Sequence, residues 1–207
     1  MKFRDIILRL IRGEKSTIAG PRPQRPTLGD RVRSLLSSNV ESASRLGFAG
    51  RYEIECFDAT GRLKWRDVID NLVVDTGLND ALDKWLKGST YTAAFYVGLV
   101  SSTPTIAAGD TMSSHAGWTD NATYSNATRP ALTLGTVASK SVDNSASKAV
   151  FNINGTATIG GAFVTTSNTK SGTTGTLISA GAFSGGNKSV SSGDTLNVQI
   201  TYTGSSS

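Results

Sequence analysis

Residues 51–74 read RYEIECFDATGRLKWRDVIDNLVV, and this stretch predicts the fold class. Its first part alternates apolar and acidic residues, the two-residue period of a strand with one buried face: Tyr52, Ile54 and Cys56 against Glu53 and Glu55. Residues 58–61 (DATG) have the composition of a turn, and a second strand begins near Leu63, so the stretch predicts an antiparallel hairpin. Residues 72–74 either extend this second strand or begin the next element.

The chain after this hairpin is rich in Gly, Ser, Thr, Asn and Ala, a composition typical of short strands joined by turns. Residues 93–100 (AAFYVGLV) predict a strand buried on both faces, and a long loop is expected at 101–128. Further strands are expected at 131–138, 147–154, 157–166, 175–184 and 194–203. We predict a mainly β fold, an antiparallel β-sandwich of jelly-roll or immunoglobulin-like type with one embedded helix.

Two of these expected strands resemble each other in sequence. ATIGGAF at 157–163 and ISAGAF at 178–183 predict a pair of neighbouring strands whose glycines allow bulges or close contact between sheets. The similarity covers too few residues to indicate an internal repeat.

The embedded helix is expected at residues 77–87, GLNDALDKWLK. Its apolar residues recur at the spacing of one helical face, and Gly88 is suited to end the helix: Leu78, Ala81, Leu82 and Trp85. We expect this face to pack Trp85 against the sheet.

The first 48 residues form an N-terminal helical and extended arm in our interpretation, and residues 49–207 form the β-sandwich domain. Residues 2–12 predict a short amphipathic helix, and 20–26 (GPRPQRP) an extended linker. Asp30 is placed to cap a second helix that ends near Gly47. Residues 1–50 carry 10 Lys and Arg against 4 Asp and Glu, and the rest 11 against 12, so the positive charge belongs to the arm.

The beginning of the chain does not favour export, because charged residues interrupt its apolar run and no small-residue cleavage site follows. With one cysteine, no intrachain disulfide can form, and no run approaches the roughly 20 apolar residues of a membrane span. We therefore expect a chain that folds in a reducing cytoplasm, without a membrane partner.

The pattern of reactive residues predicts that the chain is not an enzyme. The single histidine, His115, lies in a turn-rich loop, where we expect its ring to bond loop backbone; Cys56 lies mid-strand and is expected to be a small buried apolar residue. Glu53 and Glu55 are expected on a solvent face, as are Asp80 and Asp83. No catalytic residue, cofactor site or metal site is predicted, although loop carboxylates at Asp110, Asp120 and Asp143 leave a calcium site open.

Trp118 is the most suggestive of the three tryptophans, because it lies in the long loop. An exposed loop tryptophan is costly, so we expect it to be buried either under its own loop or against another subunit. His115 and Trp118 are therefore candidates for a subunit interface.

From about residue 51 to the C-terminus, the chain resembles a group of small proteins encoded by tailed bacteriophages. The resemblance follows an order of motifs: DxxGxxxW at 58–65, NLVV at 71–74, GLNxxLD at 77–83, YVGL at 96–99 and DTxxSHAGW at 110–118. Later stretches match as well: SKSVDNSA at 139–146, IGGAF at 159–163, AGAFSGGNKSV at 180–190 and SGDTLNV at 192–198. The arm departs from this pattern, so the resemblance covers about three quarters of the chain.

The resemblance implies a structural component of the virion and no catalytic residues. We expect a capsid decoration, or cement, protein on the capsid surface, made in the host cytoplasm, with the major capsid protein as its partner and a homotrimer as its assembly. The arm would bind the shell through an apolar stripe, arginines and prolines: Phe3, Ile6, Ile7, Leu10, Ile11, Arg4, Arg9, Arg12, Pro21, Pro23 and Pro26.

Two alternatives remain open from the sequence. A tail, head-fibre or adsorption protein would bind a host surface glycan and expose aromatic and Asn or Asp residues in the 101–128 loop. A basic arm can also bind nucleic acid or an anionic membrane, with a steep dependence on salt, but we expect neither as a partner here.

Overall fold

The computed structural model describes residues 46–90 and 94–206. Within these ranges the protein is mainly β, with ten strands and one α-helix. The strands are β1 Leu46–Phe57, β2 Leu63–Val73, β3 Tyr96–Ser101, β4 Asp120–Asn121, β5 Ser141–Asp143, β6 Ala149–Asn152, β7 Ala157–Thr165, β8 Leu177–Ala182, β9 Lys188–Val190 and β10 Thr195–Ser206. The helix is α1, Asp75–Trp85, and a 3-10 turn covers Ser145–Ser147.

The strands pair in the order β4-β3-β7-β8-β2-β1-β10-β5, with β6 added to β10 and β9 added to β7. The ladders that hold this order together are antiparallel. Strand β2 belongs to both halves, because it pairs with β1 along most of its length and with β8 through Leu72 and Val73. The main core lies between the strands around β1 and β10 and the strands around β3 and β7. It takes side chains from both groups, as a sandwich requires.

The predicted mainly β, antiparallel fold with one embedded helix is confirmed. Residues 1–45 of the predicted arm lie outside the described residues, as do residues 91–93 and residue 207. The boundary between arm and domain after residue 48 stays a prediction. The first strand already begins at Leu46, whereas the alternation of side chains indicated a start near residue 51.

The hairpin follows the alternation in the sequence. Tyr52, Ile54 and Cys56 are buried in the main core, while Glu53 and Glu55 face outward. Glu53 forms an ion pair with Arg66 in β2, and Glu55 forms one with Lys148, the residue before β6. At the turn, Gly61 has a φ of +80°, a conformation that residues with a Cβ adopt at a cost.

Strands β7 and β8 pair as the two similar glycine-containing stretches predicted. Gly161 lies opposite Ala182, and Ala162 lies opposite Gly181. A Cβ on Gly161 would come within 2.0 Å of the Gly181 carbonyl oxygen. The glycines therefore allow a close backbone approach that a side chain would prevent.

The strand predicted at 131–138 is not formed. This segment makes one bridge to β3 at Ala131 and another to Ser141 at Ala138, and it places Leu132 in the main core. The segment runs from β3 at one end to β5 at the other. It therefore has the alternating side chains of a strand but forms no continuous pairing with a neighbouring strand. The short strands β4, β5 and β9 are too brief to produce a period in the sequence.

The predicted helix is present, but the expected packing of Trp85 against the sheet is wrong. Trp85 is 64% exposed, and the buried residue of α1 is Gly77. A Cβ on Gly77 would lie 2.2 Å from the carbonyl oxygen of Ile178 in β8. The helix therefore lies on β8 through backbone at its first turn, and Leu78, Leu82 and Trp85 of its apolar stripe are exposed among the described residues. Gly88, with a φ of +74°, follows the helix as expected.

Candidate binding surface

The single histidine has a structural role. Its Nδ1 is 2.9 Å from the Trp118 carbonyl oxygen, and its ring stacks on the Trp118 indole with centroids 3.8 Å apart. The ring therefore bonds loop backbone, as the sequence predicted. The hydrogen bond and the stacking contact together fix the ring within the loop.

Cys56 is buried and has a free thiol. Burial, and after it the nearby Asp194 carboxylate, raise the pKa of this thiol to about 12. Because a thiolate is the reactive form, the group stays protonated and inert at neutral pH. The prediction of a small buried apolar side chain is confirmed.

The carboxylates that left a calcium site open, Asp110, Asp120 and Asp143, each accept a hydrogen bond from the protein itself. Asp110 accepts hydrogen bonds from the Trp118 indole nitrogen at 2.9 Å and from the Ala107 amide. Asp120 pairs with the buried Arg129 at 2.7 Å. Across residues 46–90 and 94–206, no three His, Cys, Asp or Glu side chains come together in a metal-holding group.

The long loop folds onto one outer face of the sheet and covers an apolar cluster there. We call this the covered cluster, and it consists of Val74, Val100, Met112, Trp118, Phe163, Leu177 and Ala180. Trp118 is 4% exposed, with its ring centroid 5.1 Å from that of Phe163. The tryptophan is thus buried by its own chain, the first of its two predicted placements. The interface role predicted for His115 and Trp118 stays a prediction.

A second apolar surface has no such cover among the described residues. It is a groove of about 550 Å³ between α1, the start of β1 and the chain before β3. We call it the apolar groove, and its walls are formed mainly by Leu46, Phe48, Ala81, Trp85, Phe95 and Ile178. The polar side chains at its edge are Asp80 and Lys84.

The apolar groove opens toward the main core. A deeper recess of about 240 Å³ shares several of its walls and adds Leu134, Val164 and Tyr202. The Tyr202 hydroxyl is satisfied from inside, at 2.8 Å from the Ser179 hydroxyl, which in turn bonds Tyr52. Burial raises the pKa of Tyr202 to about 12, so this phenol stays neutral. The floor of the groove therefore presents apolar surface and no charge.

Sequence reasoning found only one wall of this groove. The sequence marks the stripe on α1 as apolar but predicts that it packs against the sheet. Leu46 and Phe48 lay in the predicted arm, and no periodic signal marked Phe95 or Ile178 as neighbours of the helix. These residues come together with the helix only through pairings between strands that are far apart in the chain.

The predicted shell-binding residues, from Phe3 to Pro26, lie outside the described residues. In the part of the chain that the structure describes, no helix is long and apolar enough to cross a membrane. Comparison with protein-family models, with curated proteins and with solved structures finds no match.

Proposed function

We propose that this chain is a structural subunit of a tailed-phage particle, a decoration protein that binds and stabilises the capsid shell. In this proposal the partner is the major capsid protein, the arm is the shell-binding segment, and the β domain forms a homotrimer on the capsid surface. The protein acts without turnover of a substrate.

The observation that carries the proposal is the combination of a β domain with an apolar groove at its first strand that the other described residues do not fill. Leu46 and Phe48 are the first apolar residues of that strand and also walls of the groove. An exposed apolar surface of this kind is typical of proteins that assemble with others. The order of phage-like motifs along the domain supports the same class of protein.

The physical logic of a decoration protein matches the residues of the arm. Such a protein must bind many identical sites on a shell, and a tethered segment raises avidity by making each further contact intramolecular. An amphipathic stripe on a proline-rich linker can bury a small area on a neighbouring subunit. The basic residues then suit an acidic protein surface.

The glycan-binding alternative finds no support in the long loop. That alternative needs aromatic residues exposed there, but Trp118 and Tyr124 are both buried. The loop instead completes the covered cluster.

A binding experiment tests the proposal. Full-length protein and a variant lacking residues 1–26 are mixed with shells assembled from the major capsid protein and sedimented. We expect the full-length protein to sediment with the shells, in many copies per shell, and the truncated protein to fold but stay in solution. Equal binding of both forms would contradict the role of the arm.

A matched pair of variants separates the apolar stripe from charge. Ile7→Asp places a charge on the stripe, and Ser16→Asp places the same charge outside it. We expect only Ile7→Asp to weaken shell binding. If neither full-length protein nor either variant binds shells, the decoration role is wrong.

A further inference from the structure

The connection between β6 and β7 contains the single Asn-Gly pair of the sequence, Asn154 and Gly155. Asn154 is exposed, Gly155 is half-buried, and neither belongs to a strand. In such a pair the side-chain carbonyl carbon of the asparagine can approach the next backbone nitrogen. Glycine has no side chain to shield that nitrogen, and it restricts the backbone less than any other residue.

The hydrogen bonding of the structure leaves both reacting groups free. In the part of the chain that the structure describes, neither the Asn154 side-chain amide nor the Gly155 backbone amide has a hydrogen-bond partner. Several other asparagine side chains are held in place by hydrogen bonds: Asn71, Asn121, Asn126, Asn144 and Asn187. The Asn154 side chain can therefore rotate toward the Gly155 nitrogen without breaking a bond.

Asn152, two residues earlier, provides a comparison within the same segment. It is also exposed, and its side chain also has no hydrogen bond among the described residues. The residue that follows it differs, because the Ile153 amide donates to the Asp194 carbonyl oxygen at 2.8 Å. The Ile153 side chain is buried and branched at Cβ. The nitrogen next to Asn152 is thus both bonded and shielded, whereas the nitrogen next to Asn154 is neither.

We propose that Asn154 is a site of spontaneous deamidation, with the Gly155 backbone nitrogen as the nucleophile. This nitrogen bonds to the side-chain carbonyl carbon of Asn154, and the bond from that carbon to the side-chain nitrogen breaks. The proton that Gly155 loses leaves with the side-chain nitrogen as ammonia, and a five-membered succinimide remains. Solvent water then opens the ring at either carbonyl and gives an aspartyl or an isoaspartyl residue. The reaction is favoured because both groups are held next to each other in one chain.

The modification changes both charge and backbone next to a core residue. Either product replaces a neutral amide with a carboxylate, and the isoaspartyl product routes the main chain through the former side chain. Ile153 lies beside this change, and its carbonyl oxygen accepts a hydrogen bond from the Gly193 amide at 2.9 Å. The inference does not depend on the decoration role, because it requires only the exposed Asn-Gly connection.

The test follows the full-length protein in water enriched in heavy oxygen, at several pH values from neutral to mildly alkaline. After tryptic digestion in ordinary water, fragmentation in a mass spectrometer locates the heavy oxygen within residues 149–170. We expect it at Asn154 and not at Asn152, in an amount that rises with pH because the attacking nitrogen must lose its proton. Gly155→Ala should lose this conversion. Gly109→Ala is the matched control and should convert like its parent, since a Cβ there meets nothing within 4 Å.

The comparison of Asn152 with Asn154 needs no variant, so the test does not depend on how Gly155→Ala folds. The same protein unfolded in urea shows how fast the sequence reacts without the fold. An Asn154 that stays intact in the folded protein but converts in urea would overturn the proposal, because the fold would then protect the site. Equal conversion at Asn152 and Asn154, or unchanged conversion in Gly155→Ala, would refute the role of the free Gly155 nitrogen.

Discussion

The covered cluster and the apolar groove are two apolar surfaces on one domain, and each contains a tryptophan. Trp118 is 4% exposed and Trp85 is 64% exposed. The difference arises from what lies above each surface. The long loop folds back over the first, held by hydrogen bonds from the Thr105 amide to the Gly117 carbonyl and from the Asp75 amide to the Ala108 carbonyl. The second has no such loop among the described residues.

The contrast teaches that apolar character and burial are separate properties. A loop that returns over the sheet completes the covered cluster within one chain, so this surface contributes to the stability of the monomer. Among the described residues no loop covers the apolar groove, and under the proposed function its residues should contribute to assembly and little to folding. Four substitutions test this division.

Trp118→Ala should have the largest effect on stability. It removes a buried indole that contacts Phe163 and bonds Asp110, and we expect the free energy of unfolding to fall by ~3–5 kcal/mol. Urea denaturation of the purified protein measures the change. A loss below ~1 kcal/mol would mean that the loop does not complete the fold.

Gly77→Ala tests how α1 is attached. The added Cβ would meet the backbone carbonyl of Ile178 at 2.2 Å, so the helix must shift and we expect a loss of ~1–3 kcal/mol. Gly109→Ala is the matched control, because a Cβ there meets nothing within 4 Å. Equal melting temperatures for the two variants would show that the helix does not depend on this contact.

Asp110→Ala tests the polar anchor of the covered cluster. It leaves the buried Trp118 indole nitrogen without its acceptor at 2.9 Å, which should cost ~1–3 kcal/mol. Asp70→Ala removes an exposed carboxylate from β2 and should leave the unfolding midpoint unchanged. A similar midpoint for both variants would contradict the anchoring role.

Trp85→Ala should have the smallest effect on folding despite the size of the side chain. Because the indole is mostly exposed, we expect the free energy of unfolding of the monomer to change by less than ~0.5 kcal/mol. Thermal melting at concentrations where the protein is monomeric checks this. A loss comparable to that of Trp118→Ala would show that the groove is part of the core.

Much of the fold could be predicted from local pattern. The alternation around Tyr52 predicted the hairpin, and the glycines of 157–163 and 178–183 predicted a close strand pair, because both signals reflect pairing or periodicity along short stretches. The strand predicted at 131–138 was wrong, because alternation indicates which side chains are buried and does not show whether two strands pair.

The binding surface was the least predictable feature. The helical stripe through Leu82 and Trp85 was found from its spacing, but spacing cannot say what covers a face. That depends on the path of β1 and on the close approach at Gly77, which involve residues far apart in the chain.

The proposed function makes the apolar groove a surface that is buried when the protein assembles, and the fluorescence of Trp85 tests this most directly. The emission of Trp85→Phe is subtracted from that of the parent protein across a concentration series, which leaves the contribution of Trp85 alone. We predict a shift to shorter wavelength and weaker quenching by acrylamide as the molar mass rises. Emission that keeps the character of a water-exposed indole in the assembled protein would contradict the claim.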